Sequence, residues 1–177
     1  MNLFRLHNDP VEAAKLNQDL HVSKICVEAA QMLANGYTVE QLEQAPRTQK
    51  GTVRRHSHIH HPLSKHILSH RGAFDWALKH GLALCEEFEY RFGIKHFCEG
   101  FIKWASMNEP LRVLDGEETE WPQCFKQHPE CMVVGDVVAG YRNYYEAYKA
   151  MFIIRGRVHR AKWTRRETPE FMLSWRF

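Results

Sequence analysis

The sequence predicts an all-α protein that forms one domain over residues 1–177. Apolar residues recur at helical spacing along several stretches, which indicates helices with one buried face. Helix start and stop signals bound these stretches, and no clear alternation of apolar and polar residues predicts a strand ladder. A chain of 177 residues, 44% hydrophobic and 25% charged, is long and apolar enough to bury a core.

The first predicted helix covers residues 10–17. Asp9 can cap it, Pro10 suits its first position, and Glu12 lies where the acid of a capping box belongs.

The second predicted helix, residues 19–34, carries the predicted site and ends near Asn35-Gly36. At about 100° per residue its apolar side chains share one face, and a polar stripe lies beside them. The stripe consists of His21, Lys24, Glu28, Gln31 and Asn35. An imidazole, an ammonium and a carboxylate are thus within reach of one another, although a solvated helix edge is the simpler interpretation.

Further helices are predicted at residues 38–44, in a region opened by His61-Pro62, and at residues 73–92, 96–105 and 141–154. A polar, basic loop covers residues 45–60, and a long irregular connection covers residues 107–140. The last helix has an aromatic face, and the tail at residues 155–177 is basic and aromatic.

The net charge of +3 is unevenly distributed along the chain. Residues 47–71 contain six Lys or Arg, six His and no acid, and residues 155–166 contain six more Lys or Arg and no acid. This segregation predicts a polyanionic partner, although a basic patch can also serve solubility alone. The predicted DNA contacts are Arg54, Arg55, Lys149, Arg155, Arg157, Arg160, Lys162, Trp163, Arg165 and Arg166. Trp163 could equally anchor the tail.

The sequence gives less support to metal, disulfide, nucleotide and serine chemistry. The alternating histidines at residues 54–61 lack the convergent spacing of a zinc site, so a phosphate-contacting loop is favoured, with a solvated loop as the alternative. The five cysteines form no CxxC pair and predict reduced, mostly buried thiols. Walker, GxGxxG, GxSxG and kinase motifs are absent from the sequence, which argues against nucleotide-triphosphate chemistry and serine hydrolysis.

No signal peptide or membrane span is predicted, so we expect an intracellular, cytoplasmic protein.

Several ordered blocks resemble phage proteins related to pyrimidine-dimer DNA glycosylases. These blocks are MNLF at residues 1–4, NDPVEAA at 8–14, HVSK at 21–24, EAAQML at 28–33, HP at 61–62, GLALCEEFEYRFG at 81–93 and YRNYY at 141–145. The branch that the chain most resembles is the phage amino acid:DNA transferases of thymine hypermodification. Residues 47–60 and 108–136 carry no part of the resemblance.

The resemblance implies a compact helical fold and a double-stranded DNA substrate that carries a phosphomethylated uracil. The implied reaction replaces the phosphate of 5-phosphomethyl-deoxyuridine with the amine of a free amino acid, for which glycine is the expectation. In the glycosylase relatives, a helical His and a Glu seven residues later lie in the active site, and that spacing falls here on His21 and Glu28. No metal or organic cofactor is expected, because the phosphate already activates the carbon.

The expected roles follow from this reaction. Glu28 is the predicted general base, positioned by His21, and Lys24 is the third catalytic candidate. The side chains predicted to bind the phosphate or the amino-acid carboxylate are His61, Lys65, His66, Arg91 and Arg142. Arg91 has an alternative role, since one of Glu86 and Glu87 is expected to pair with it across a helical turn.

Two rival functions remain. A lesion glycosylase/lyase would attack the sugar with a free amino terminus on a small residue exposed by removal of Met1. Asn2 is expected to leave Met1 in place, which favours the transferase branch. The other rival is a non-catalytic DNA-binding protein in which the stripe is only a helix edge.

Overall fold

The computed structural model describes residues 1–154 and 156–175. The α-helices are α1 (Pro10–Leu16), α2 (Asp19–Ala34), α3 (Val39–Gln44), α4 (Pro62–Ser69), α5 (Arg71–Phe92), α6 (Glu99–Met107) and α7 (Val137–Lys149). Strands β1 (Met151–Ile154) and β2 (Arg157–Arg160) form a hairpin, and short 3₁₀ helices cover Pro129–Cys131 and Glu170–Trp175. The all-α prediction is confirmed, since the rest of the regular structure in the described residues is helical.

The core is built around α5, which packs against α1, α2, α4 and α6. The apolar face of α2 is fully buried there, as its helical period predicts. Gly81 of α5 allows the close approach, because a Cβ at this position would lie 3.4 Å from the Cβ of Ala29 on α2. All five cysteines are free, and four of them are buried, as the sequence predicts.

Local signals set most helix ends within one or two residues of their predicted positions. Asp9 accepts hydrogen bonds from the backbone N–H groups of Val11 and Glu12, which caps α1. Thr38 and Gln41 form a reciprocal capping box at α3. Gly93 ends α5 in the left-handed conformation, with φ of 72°.

The first six residues belong to the core. Leu3 and Leu6 are fully buried. Phe4 lies in the left-handed region with φ of 36°, which is unfavourable for a residue with a Cβ. This bend lets the Phe4 ring stack on His21 of α2, with 4.8 Å between ring centroids.

The prediction of a helix over residues 141–154 is wrong at its carboxyl end, and so is the expectation that the chain has no strand ladder. Helix α7 ends at Lys149, and β1 pairs antiparallel with β2, so that Ile153 lies opposite Val158. β-Branched residues favour the pleated backbone, and Gly156 adopts a φ of 76° in the turn. Such a short hairpin has little periodic signal of its own, and the apolar run at residues 151–154 by itself predicts the last turn of a helix.

The irregular connection predicted over residues 107–140 is confirmed for residues 108–136, which contain only one 3₁₀ turn as helix, but α7 begins at Val137, four residues earlier than predicted. It still contributes to the core, because Trp121 and Phe125 are buried. None of the described helices has both the length and the apolar content that a membrane span requires.

Candidate functional site

The Glu28 carboxylate lies at the edge of α2 beneath the amino-terminal segment. The residue is 9% exposed. Its Oε2 accepts a hydrogen bond from the backbone N–H of Asn2 at 2.5 Å, and its Oε1 lies 3.5 Å from Nζ of Lys24. A carboxylate offers about four acceptor positions, so these contacts leave capacity for a substrate proton. The Lys24 side chain is largely exposed and can meet an incoming anion.

His21 does not contact Glu28, although the two share the predicted stripe. Its Nδ1 lies 2.7 Å from the hydroxyl of Tyr145 on α7, and its ring stacks on Phe4. Burial is the main cause that lowers the pKa of His21 to about 3, and the positive charges of Lys149 and Lys24 add to it. The prediction that His21 positions Glu28 is therefore corrected: His21 is a neutral packing residue between α2, α7 and the amino-terminal segment.

His61 caps α4 and lies within electrostatic reach of Glu28. Its Nδ1 accepts the backbone N–H of Leu63 at 3.2 Å, so the neutral ring carries its proton on Nε2 and can donate it to an anion. Burial lowers the pKa of His61, and the Glu28 carboxylate partly offsets this shift. Lys65, on the first turn of α4, is exposed.

His66 points away from this site. It is buried, its Nδ1 lies 3.2 Å from Oγ1 of Thr119, and its ring packs edge-on against Trp121. Burial, together with the positive charge of Arg5, lowers the pKa of His66. The phosphate-binding role predicted for His66 is therefore corrected to packing against the irregular connection.

Arg91 is also unavailable to a substrate. Its side chain is fully buried, and its Nε donates to Glu87 Oε1 at 2.7 Å. The two terminal nitrogens donate to Asp19 Oδ1 and to the carbonyl oxygens of Asn17 and Lys15. The alternative pairing with Glu87 is confirmed, and the predicted binding of phosphate or carboxylate by Arg91 is corrected to a structural ion pair that joins α5 to the start of α2.

Arg142 and Lys149 on α7 are half-buried. The Nε of Arg142 donates to the carbonyl oxygen of Leu6 at 2.8 Å, and its guanidinium lies over the ring of Phe171. Arg142 thus fastens the amino-terminal segment to α7, which explains its position without a carboxylate ligand. The ammonium of Lys149 lies over the ring of Tyr144.

The basic loop at residues 45–60 packs against the carboxyl end of α2. Asn35 exchanges two hydrogen bonds with the backbone of Ser57, which fixes the loop there. A cavity of about 370 Å³ lies between Gln31 of α2 and the loop residues Arg54 and Arg55. Arg55 is exposed, whereas the Arg54 guanidinium lies over the ring of Phe101, 4.5 Å from its centroid.

The second basic segment, residues 155–166, packs against the amino end of α2. Trp163 is an anchor rather than a base-stacking residue, because it is buried and its indole N–H donates to the carbonyl oxygen of Leu16 at 2.9 Å. Two arginines already have protein partners: Arg165 donates to the carbonyl oxygen of Tyr90, and Arg166 donates to both oxygens of Glu87. Both arginines are exposed, so their predicted DNA contacts remain predictions.

Three further cations of that segment, Arg157, Arg160 and Lys162, are also exposed. Arg155, also predicted to contact DNA, lies outside the described residues.

Together, the two basic segments bracket α2. The backbone N–H of Asp19 donates to the carbonyl oxygen of Lys162 at one end, and Asn35 bonds Ser57 at the other. These positions are 16 residues apart, or about 24 Å at 1.5 Å per residue. That length corresponds to about seven base pairs of DNA. Glu28 and Lys24 lie between the two segments on the same helix.

Sequence reasoning missed two groups at this site, the backbone nitrogen of Asn2 and the hydroxyl of Tyr145. The sequence alone predicts no structure for residues 1–6, and no local pattern could specify which helix they cover. Tyr145 belongs to the aromatic face predicted for the core, and its contact with His21 spans 124 positions.

Within residues 1–154 and 156–175, no group of three or more His, Cys, Asp or Glu side chains is arranged to hold a metal ion. Comparisons of the chain with models of protein families, with curated proteins and with solved structures gave no match. The function is therefore inferred from the residues of the chain, their geometry and the resemblance that they carry.

Proposed function

We propose that this protein is an amino acid:DNA transferase. It replaces the phosphate of 5-phosphomethyl-deoxyuridine in double-stranded DNA with the amine of a free amino acid, and glycine is the first candidate. The observation that carries the proposal is the shielded Glu28 carboxylate, which lies beside Lys24 between two acid-free basic segments. The enzyme acts in the cytoplasm, which for a phage protein is that of the host cell.

The reaction needs a base at the incoming amine and cations at the leaving group. In the proposal, the modified base leaves the stack and approaches the edge of α2. The amine nitrogen forms a bond to the exocyclic methylene carbon, and the bond from that carbon to the phosphate oxygen breaks. The phosphate departs with the electron pair, and Glu28 accepts the proton that the amine loses.

Lys24, Lys65 and the Nε2–H of His61 are the proposed partners of the departing phosphate. Lys24 and Lys65 are exposed cations, and the cap on α4 orients the His61 ring. Positive charge and fixed donors at the position where negative charge develops stabilise a transition state more than they stabilise the ground state. No organic cofactor or metal has a step in this scheme.

The test is transfer to phosphomethyl-uracil DNA, with the product nucleosides identified by mass spectrometry. The wild-type protein, given a mixture of amino acids, should yield one amino-acid adduct and free phosphate. Glu28→Gln should lower the single-turnover rate by about 10²-fold or more, since general-base catalysis is worth about 10²–10⁴. Gln keeps an oxygen for the N–H of Asn2, so DNA affinity and folding should be retained.

Glu86→Gln is the matched control, because Glu86 is an exposed carboxylate on α5. It should transfer at the wild-type rate. A wild-type single-turnover rate in Glu28→Gln would remove Glu28 as the base. Lack of product with every amino acid and every modified DNA would leave a non-catalytic DNA-binding protein.

A second candidate, a lesion glycosylase/lyase, is favoured by the 2.5 Å contact between the Asn2 nitrogen and Glu28. In a chain whose first residue is Asn2, that nitrogen would be a primary amine held against a carboxylate. It could attack sugar C1′ as the bond to the base breaks, and ring opening would give an imine. Borohydride should then trap a covalent adduct of the chain starting at Asn2 with pyrimidine-dimer DNA. If no adduct forms, this candidate is excluded.

A further inference from the structure

The hairpin formed by β1 and β2 has a largely apolar outer face, on which Arg160 lies opposite Met151. Ile153 and Val158 form a cross-strand pair and are 73% and 67% exposed. Met151 lies on the same face, because side chains alternate along a strand, and it is half-exposed. Exposed apolar surface on a strand pair promotes aggregation unless a partner covers it.

The base of this hairpin is firmly attached to the body of the protein. The backbone N–H of Ala161 donates to the carbonyl oxygen of Ala150 at 2.8 Å, which continues the ladder. Beyond it, Lys162 is bonded to Asp19, and Trp163 is buried. The outer face is thus presented in a fixed direction relative to α2.

The inner face of the hairpin is directed toward the body. Phe152 and His159 stack with 5.7 Å between ring centroids. They line a cavity of about 600 Å³ together with residues of α2 and α5, including Leu20 and Phe88. The inner and outer faces therefore have different surroundings.

Charge identifies the partner that fits this face. Residues 147–166 contain seven Lys or Arg and no acid. A second copy of the chain would bring like charges together, whereas a polyanion complements them. The major groove of DNA is about 12 Å wide and admits a two-stranded β-ribbon. Its apolar groups are the methyl groups of thymine.

We propose that the hairpin enters the major groove and that Ile153 and Val158 contact thymine methyl groups there. This inference rests on the DNA substrate of the proposed function and assigns its recognition element. Substituents at C5 of pyrimidines project into the major groove. The hairpin therefore meets DNA on the side where the phosphomethyl group is displayed, and Arg157 and Arg160 hold the flanking phosphates.

The experiment compares binding to an unmodified 20-base-pair duplex with binding to the same duplex in which uracil replaces thymine. Wild-type protein should bind the thymine duplex about threefold to fourfold more tightly for each methyl group contacted. Ile153→Thr/Val158→Thr keeps β-branched side chains and the strand pairing but replaces the ethyl group of Ile153 and one methyl group of Val158 with hydroxyls. Each Thr keeps one methyl group, so the double variant should lose most, though not all, of the wild-type preference for the thymine duplex.

Val134→Thr is the matched control, because Val134 is an exposed valine in the irregular connection. It should discriminate between the duplexes like the wild type. Circular dichroism and sedimentation velocity of every variant test the fold and the oligomeric state.

Equal affinity of the wild-type protein for the thymine and uracil duplexes would overturn the inference. An undiminished preference for the thymine duplex in the double variant would do the same. Two further outcomes would assign the face to another partner. The first is a wild-type dimer that the double substitution dissociates. The second is wild-type binding to anionic phosphatidylserine vesicles that the double substitution abolishes while discrimination between the DNA duplexes persists. The duplexes in this experiment are unmodified, so equal affinity for them would say nothing about the transferase assay. If the protein forms the transfer product but does not discriminate between the thymine and uracil duplexes, only the assignment of the hairpin is overturned.

Discussion

His21 is held as a neutral imidazole by its surroundings. The ring lies between Phe4 and Tyr145, and its pKa is lowered to about 3, chiefly by burial. The fully buried His80 is held neutral in the same way, because burial lowers its pKa to about 4. An unfolded chain binds a proton at both positions near pH 6.5. These two residues therefore link the stability of the fold to pH.

We predict that the free energy of unfolding falls as the pH is lowered from about 6.5 toward 4. In this window the unfolded state binds protons that the folded state does not, so each histidine contributes a loss of up to about 1.4 kcal/mol per pH unit. His21→Gln should remove the contribution of one histidine to this change in the free energy of unfolding. Urea unfolding at pH 7, 6 and 5 measures the free energy of unfolding of both proteins.

Tyr145→Phe is the control for this prediction. It removes the hydroxyl partner of His21 but keeps the ring buried, so it should lower stability without changing the pH dependence. A His21→Gln variant with the wild-type pH dependence would contradict the account of His21.

At the scale of elements, Arg91 joins three parts of the chain. Its guanidinium on α5 bonds Glu87, Asp19 at the start of α2, and the carbonyl oxygens that end α1. Glu87 in turn accepts from Arg166 of the tail, and these arginine partners lower the pKa of Glu87 against the opposing effect of its burial. One buried carboxylate and one buried arginine thus fix the junction from which α2 extends.

Arg91→Ala should destabilise the protein by about 3–5 kcal/mol, because it leaves a cavity, removes one of the two arginine partners of the buried Glu87 carboxylate and deprives Asp19 of its ion pair. Arg91→Met/Glu87→Met should regain part of this loss, since it replaces both fully buried charges with apolar side chains and leaves only the less buried Arg166 and Asp19 without their partners. Chemical denaturation of the single and double variants measures both effects. Lys95→Ala, which removes an exposed lysine 4.0 Å from Glu99, is the control and should change stability little. An Arg91→Ala variant as stable as this control would contradict the structural role.

Strand formation at residues 151–160 is also decided at the level of elements. The apolar run MFII continues the helical pattern of α7, and intrinsic propensity separates the two structures only weakly. Pairing with residues 157–160 and the docking of Phe152 toward α2 and α5 supply the difference. The contacts with α2 and α5 join residues that are distant in sequence, so the local pattern does not reveal them.

At the scale of the whole molecule, the distribution of charge is the main feature that bears on function. The basic loop and the basic tail are about 100 residues apart in sequence, yet they contact opposite ends of α2. A duplex lying along the exposed edge of α2 would meet both segments. This arrangement predicts that they contribute separately to DNA affinity.

Arg55→Ala and Arg157→Ala should each reduce the slope of log K against log salt by about 0.9, the value for one phosphate contact. The double variant should lose about twice that amount, because the two side chains are far apart. Fluorescence anisotropy at several salt concentrations measures the slopes. Lys103→Ala is the control, since the Lys103 ammonium is paired with Glu99 on α6 at 2.5 Å. An unchanged slope in Arg157→Ala would show that β2 does not touch the backbone of DNA.

The sequence by itself determined the helical class, most helix ends and the buried face of α2. These features depend on neighbours within a few residues, through caps, proline positions and the period of 3.6. It also indicated Glu28, Lys24 and His61 by residue type and order. Only the tertiary structure decided which of the predicted side chains remain available, because His21, His66 and Arg91 each find partners that are distant in sequence. Burial and long-range hydrogen bonds make a side chain unavailable to a substrate, and neither can be predicted from the local sequence pattern around it.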